Sequence, residues 1–397
     1  MHAVKLLHKL LTDALPQMHL TRLRALFVGV ESLLRGQRLW LTSLGRHIRG
    51  DTLEKHKIKR IDRLLGNHRL NHERRAVYQW MCRLLVAQCS RPCINVDWSD
   101  IDTAKKLFLL RAAVSVGGRA LPLYEEVHTR YHHPNDTQRF LKRLADMLPP
   151  TCVPVIVTDA GFKSPWFRAV EALGWYYVGR VRSRDFVRFA NTDTWVPAKS
   201  LYRQASARPS ALGALWIPRA TPMLTCAYLY RKHPKGRHRI TAKGQRRRNG
   251  PSLKHARRER EPWLLVSNVP ARRHSAKRVV AIYRDRMTIE EAFRDLKAHR
   301  HGFALRQNLG RNPERVANLL LIAALAVFCA WLTGLVGIAQ GLARTLQANT
   351  ERRRKVLSVF FIGNRLLHQR FVATRAELAL ALNDIQHTIE SKALEAS

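Results

Sequence analysis

The order of apolar runs between Cys93 and Val181 constrains the fold more than any other feature of this chain. Cys93–Asp100, Leu107–Val116 and Ala120–Val127 are rich in β-branched, aromatic and leucine residues. Tight connections separate them, Gly117-Gly118 among them, so they predict three strands of an antiparallel meander. Asp136–Leu148 has helical spacing. Val155–Val157 is a wholly apolar run of the kind buried on both faces of a parallel sheet. Trp166–Leu173 is again helical, and Trp175–Val181 returns as a strand. Three strands, helix, strand, helix, strand is the order of a mixed sheet with helices on its faces.

Sheets of this kind bind ligands at the carboxyl ends of their parallel strands. Asp159 follows Val155–Val157 at such an end, although Asp-Ala-Gly is also ordinary turn chemistry. Asp97 lies inside the first strand and shares a face with Ser99, opposite Val96 and Trp98. A carboxylate in a central strand is costly unless a metal or a cation answers it. Asp100 and Asp102 lie nearer the turn and are weaker candidates. The fold class expected is α/β: a ribonuclease-H-like mixed sheet with a β-rich insertion, flanked by helical N- and C-terminal regions.

The segment from Tyr283 to Lys297 contains neither Gly nor Pro, and its apolar residues recur at helical spacing, which predicts one helix. At about 100° per residue, Tyr283, Arg286, Glu290 and Lys297 fall within a stripe about 60° wide. Ile282, Ile289, Ala292, Phe293 and Leu296 lie beside it and can seat the helix on a core. One carboxylate among two cations and a phenol suits a phosphate backbone beside a metal ion. It also suits a solvated face with an Arg286–Glu290 pair.

The charge balance favours the first reading. The chain has 397 residues, 70 Lys plus Arg against 29 Asp plus Glu, and a formal charge of +41. A polyanion is the natural partner, and DNA or RNA fits better than a membrane surface. Basic residues crowd the run from Arg231 to Arg260, which cannot build a core and can follow a phosphate backbone. Near the N-terminus, Leu41–Gly50 and Leu53–Leu65 predict two short helices, the second with an Asp51-Thr52 cap and exposed Lys55, Lys57, Lys59 and Arg60. That pair suits a helix-turn-helix-like DNA reader, or an ordinary basic bundle.

Val316–Ala339 carries no charge and is long enough to cross a membrane, but its alanines, Asn318 and two glycines favour a buried helix. The six cysteines form no CxxC pair, so free thiols in a reducing cytoplasm are expected rather than a structural zinc site. The expected divisions are a DNA-binding region at 1–75, a catalytic region at 76–181 and 263–310, an insertion at 182–262 and a helical region at 311–397.

Val-Asp-Trp-Ser-Asp around Asp97, Thr-Asp-Ala-Gly-Phe around Asp159 and the Tyr-x2-Arg-x3-Glu-x6-Lys spacing together resemble the bacterial DDE transposases of the insertion-sequence-four family. The resemblance spans nearly the whole chain. It implies that Asp97, Asp159 and Glu290 are catalytic and hold two Mg²⁺ or Mn²⁺ ions. It implies that Tyr283, Arg286 and Lys297 grip phosphates, and that a flipped base stacks on Trp263. It further implies double-stranded DNA as substrate, a homodimer on paired element ends, and a cytoplasmic, nucleoid-associated location. A DNA-binding protein that pairs ends without cutting is the competing expectation.

Overall fold

The chain up to Val86 is helical because its apolar residues recur every three to four positions, and each stripe is buried. The helices are α1 (His2–Ala14), α2 (Leu20–Gly36), α3 (Leu41–Arg46), α4 (Glu54–Leu65) and α5 (His68–Val86). In the computed structural model the chain is described apart from residues 1, 88, 103, 105, 183–184, 234–244, 247–248, 251, 254–259, 271–274, 301, 352, 370 and 395–397. Most of the basic run from Arg231 to Arg260 therefore lies outside the described residues.

Helices α3 and α4 cross at Gly45, where a Cβ would stand 2.6 Å from the Ile58 Cα; no larger residue fits that approach. The expected Asp51-Thr52 cap does not form. The capping position of α4 is Leu53, with no side-chain cap, and Lys57 instead donates to the Gly50 carbonyl at 2.5 Å. Asp51 and Thr52 sit too early to reach the first free amides of the helix.

Three strands follow: β1 (Cys93–Asp102), β2 (Leu107–Val116) and β3 (Arg119–His128). They pair as the antiparallel meander predicted, β1 with β2 and β2 with β3. Helix α6 (Pro134–Met147) comes next. The chain divides into two compact units, Met1–Pro154 with Met287–Ser397, and Val155–Arg286. The first is the helical unit and the second the insertion unit.

The insertion unit holds β4 (Val155–Thr158), α7 (Ser164–Glu171), β5 (Tyr176–Val181), β6 (Phe186–Phe189), β7 (Val196–Pro197), β8 (Ser210–Ile217), β9 (Met223–Tyr230), β10 (Trp263–Ser267) and α8 (Ala276–Asp285). Its strand order is β4-β5-β10-β9-β8-β6-β7, parallel between β4 and β5 and antiparallel elsewhere. The β-rich insertion therefore pairs into this sheet through β9 and β10.

The helical unit resumes with α9 (Met287–Lys297), α10 (Pro313–Ala339), α11 (Ala343–Leu346), α12 (Val359–His368) and α13 (Arg375–Lys392). Helix α10 is apolar all round and long enough to cross a membrane, yet 89% of its most apolar 18-residue window is buried inside the protein. It packs against α2, α12 and β3. Asn318, fully buried, is satisfied by donating to the Leu65 carbonyl at 2.9 Å and to Asn71 at 2.8 Å, so its amide costs little in an apolar helix. At Gly363 a Cβ would come within 1.7 Å of the Ala330 carbonyl oxygen, and the missing side chain lets α12 lie directly on α10. All six cysteines are free thiols.

Candidate active site

The predicted single helix from Tyr283 to Lys297 is two helices. Helix α8 ends at Asp285, the Arg286 amide donates three residues back to the Tyr283 carbonyl at 3.2 Å, and α9 begins at Met287. The absence of Gly and Pro made an unbroken ladder look safe. Instead Arg286 is 6% exposed, with its guanidinium 5.6 Å from the Tyr283 ring centre, and the backbone tightens there. The motif is thus divided: Tyr283 and Arg286 belong to the insertion unit, Glu290 and Lys297 to the helical unit.

In the helical unit α9 lies on the meander. Ile289, Phe293 and Leu296 are buried, as their spacing predicts, and Thr288 shares a 2.8 Å hydrogen bond with Ser115 of β2. Glu290 stays exposed, and Lys297 points back to β1, donating to the Ser99 hydroxyl at 2.6 Å. Ser99 and Asp97 share the half-buried face of β1 while Val96 and Trp98 are buried, as alternation predicts. Asp97 accepts the Trp98 amide at 2.8 Å. Burial, then the charge of Arg306, push the Lys297 ammonium down to about 8, with Asp100 and Asp97 pulling the other way.

On the same face lies a pair that the sequence pattern did not reveal. Arg111 of β2 and Glu125 of β3 are 4% and 3% exposed and joined at 2.6 Å, and Tyr78 donates to the same carboxylate at 3.1 Å. Arg111 stands directly opposite Asp97 in the strand register, with its guanidinium 4.8 Å from the Phe293 ring centre. The signal was present: an arginine in the middle of Leu-Phe-Leu-Leu-Arg-Ala-Ala needs a buried partner.

In the insertion unit Asp159 sits at the carboxyl end of β4, half-buried. One of its oxygens accepts the Gly161 amide at 2.7 Å; the other has no hydrogen bond among the described residues. Trp263 is only 7% exposed. Tyr283 meets it edge-on at 5.0 Å, Tyr230 lies at 5.6 Å, and the Lys232 ammonium stands 5.7 Å over its ring. Arg284 donates to the Tyr230 hydroxyl at 3.3 Å. Burial raises the Tyr283 pKa, against the pull of Arg286 and Arg180, so its hydroxyl remains a donor. Arg180 is fixed by Glu261 at 3.3 Å, which also accepts from Tyr202 at 3.0 Å. Tyr230, Lys232, Arg284 and Arg180 were not singled out from sequence; only their aromatic and basic character hinted at the stack.

Of the N-terminal cations, Lys55 and Arg60 are exposed on α4, whereas Lys57 is committed to Gly50 and Lys59 pairs with Asp62 at 2.9 Å. Three oxygen-donor carboxylates suit hard ions such as Mg²⁺. Among the described residues, however, no group of three or more His, Cys, Asp or Glu side chains is gathered as a metal site.

A mixed α/β fold with strand aspartates and basic side chains beside them is consistent with a ribonuclease-H-like fold. A family model, transposase DDE domain, matches residues 89–329. The chain belongs to that family and is a transposase, with DNA as its substrate. No curated protein matches the chain significantly.

Proposed function

We propose that this protein is a cut-and-paste transposase of the insertion-sequence-four type, resembling the transposase of insertion sequence ten. It binds the terminal repeats of its element, cleaves the ends and joins them to target DNA. The observation that carries this reading is the match over residues 89–329, a span that contains Asp97, Asp159 and Glu290.

Those three carboxylates would hold two Mg²⁺ or Mn²⁺ ions. Bound there, such ions would activate an attacking oxygen and stabilise a leaving one. Water cuts one strand first. The freed 3′ hydroxyl then attacks the opposite strand, releasing the flank and closing a hairpin that is later reopened. Lys297 holds a phosphate beside Asp97, and its exchange of the Ser99 hydroxyl for a phosphate oxygen is a short movement. Tyr283 and Arg286 hold a second stretch of backbone.

A base that stacks on Trp263 takes the face that Lys232 now covers, so Lys232 moves to the neighbouring phosphate. Base–aromatic stacking contributes about 1–3 kcal/mol, enough to offset unpairing one terminal base. Lys55 and Arg60 read or grip DNA from α4, with Lys57 and Lys59 released to join them. A homodimer on paired ends and a cytoplasmic, nucleoid-associated location complete the assignment.

The test is incubation with a duplex carrying the element's own end and Mg²⁺ or Mn²⁺, followed on a denaturing gel. Nicks and then hairpins are expected. An end that is bound but never cut, by wild type and Asp97→Asn alike, identifies a pairing protein instead.

A further inference from the structure

The helical unit contains a concavity that none of the proposed catalytic residues lines. Its volume is about 490 Å³, the size of a nucleotide-binding pocket. It lies among α5, α6, the edge strand β3 and the first turn of α10. Arg74, Arg75, Arg139, Arg143, His68 and His72 line it. So do Glu125, Glu126 and Glu314, but each is already answered from within the protein.

Glu125 is held by Arg111 and Tyr78. Glu314 is held by Arg74 at 3.2 Å. Burial opposes ionisation of Glu126, but hydrogen bonds from His128, Tyr124 and Arg143 outweigh it and hold its pKa at about 2. The acids are therefore spent, and the surplus is cationic. Arg75 makes no hydrogen bond or ion pair among the described residues, and Arg139 engages only one of its nitrogens, with Asp136 at 2.6 Å. Two imidazoles on one helix face, His68 and His72, with ring nitrogens 3.4 Å apart, add further hydrogen-bonding groups.

We propose that this concavity is a phosphate-binding site separate from the candidate active site, with Arg75 and Arg139 as its principal donors. A polar cavity lined by unspent planar guanidinium groups selects oxyanions that accept two hydrogen bonds at once, phosphate among them, over apolar or cationic ligands. The phosphate comes either from a DNA strand or from a free nucleotide; only the strand source rests on the function proposed above.

The experiment is a fluorescence-anisotropy titration of labelled duplex DNA in EDTA at several salt concentrations, where cleavage plays no part. Arg75→Ala and Arg139→Ala are compared with Lys142→Ala, which removes the same charge from the exposed face of α6 outside the cavity. For a strand, each arginine variant binds about three- to tenfold more weakly, and its salt slope falls by about 0.9 for every phosphate the variant no longer neutralises. Lys142→Ala stays within about twofold of wild type. For a free nucleotide, duplex binding is unchanged, but AMP or inorganic phosphate shifts the His68 and His72 NMR signals in wild type and not in the arginine variants. Arginine variants that track Lys142→Ala, with no response to AMP or phosphate, overturn the site. Because the titration contains EDTA and reads binding alone, failure of the cavity leaves the catalytic assignment, read from cleavage, untouched.

Discussion

The two halves of the Tyr-Arg-Glu-Lys motif are built on different physics. In the helical unit, Lys297 is pressed against a hydroxyl on the face that carries a buried ion pair, and burial weakens its hold on its proton. In the insertion unit, the cations lie over aromatic rings: Lys232 on Trp263, Arg286 on Tyr283, Arg284 on Tyr230. Lys297 too lies over a ring, 5.7 Å from the Phe293 centre, so stacking does not set the difference: a guanidinium keeps its charge when buried, whereas an ammonium gives it up readily. One stretch of sequence thus supplies a pH-sensitive grip and a pH-insensitive one.

The largest expected effect tests the catalytic assignment on both sides of that contrast. Asp97→Asn, Asp159→Asn and Glu290→Gln should each slow end cleavage by on the order of a thousandfold or more, with end binding in EDTA preserved. A variant that still cuts at a normal rate removes its residue from the catalytic set. Next come the supports. Glu125→Ala strands the buried Arg111 charge and should destabilise the helical unit by about 3–5 kcal/mol in urea unfolding. Glu261→Ala leaves Arg180 near solvent and carbonyl oxygens, and should cost about 1–2 kcal/mol. Equal losses would erase the distinction between the units.

Trp263→Ala empties the centre of the aromatic stack and should cost about 3 kcal/mol, besides blocking hairpin formation. Trp263→Phe should recover most of the stability and only part of the hairpin yield, which separates packing from base stacking. Folding lowers the Lys297 pKa to about 8 from 10.5. The cost of burying its ammonium is therefore present below pH 8 and relieved as pH climbs from there towards the unfolded value. Its grip on phosphate runs the same way in reverse: DNA affinity in EDTA should fall several-fold between pH 7 and 9, and Lys297→Arg should flatten that fall. A flat wild-type profile would show that DNA holds the proton on. The smallest effects belong to α4. Lys55→Ala and Arg60→Ala should each lower the salt slope of binding by about 1. Lys57→Ala should lower stability slightly as well, through the lost bond to Gly50.

Much of this site was legible in sequence because it depends on short-range periodicity. Alternation put Asp97 and Ser99 on one face of β1, and the apolar run of β4 delivered Asp159 to a strand end. Spacing within α9 buried Ile289, Phe293 and Leu296 and left Glu290 outside. The failures came where neighbours in space outvote neighbours in sequence. No glycine or proline marks the interruption at Arg286, where the guanidinium is buried and the helix ladder ends. The Asp51-Thr52 cap failed for a related reason: α4 starts where Gly45 lets it cross α3, later than its best capping residues.

By itself, then, the sequence determined the strand and helix order, the basic character and the residue types available for phosphate and metal chemistry. These follow from side-chain pattern and charge, which need no partner to be read. Tertiary structure decided which cations are spent and which remain available. Arg111 and Arg143 are consumed by buried glutamates, Arg74 by the exposed Glu314 and Lys57 by a carbonyl, while Arg75 and Arg60 stay free of ion pairs among the described residues. That distinction is a matter of distance and burial, because a charge costs most and binds best where water is excluded.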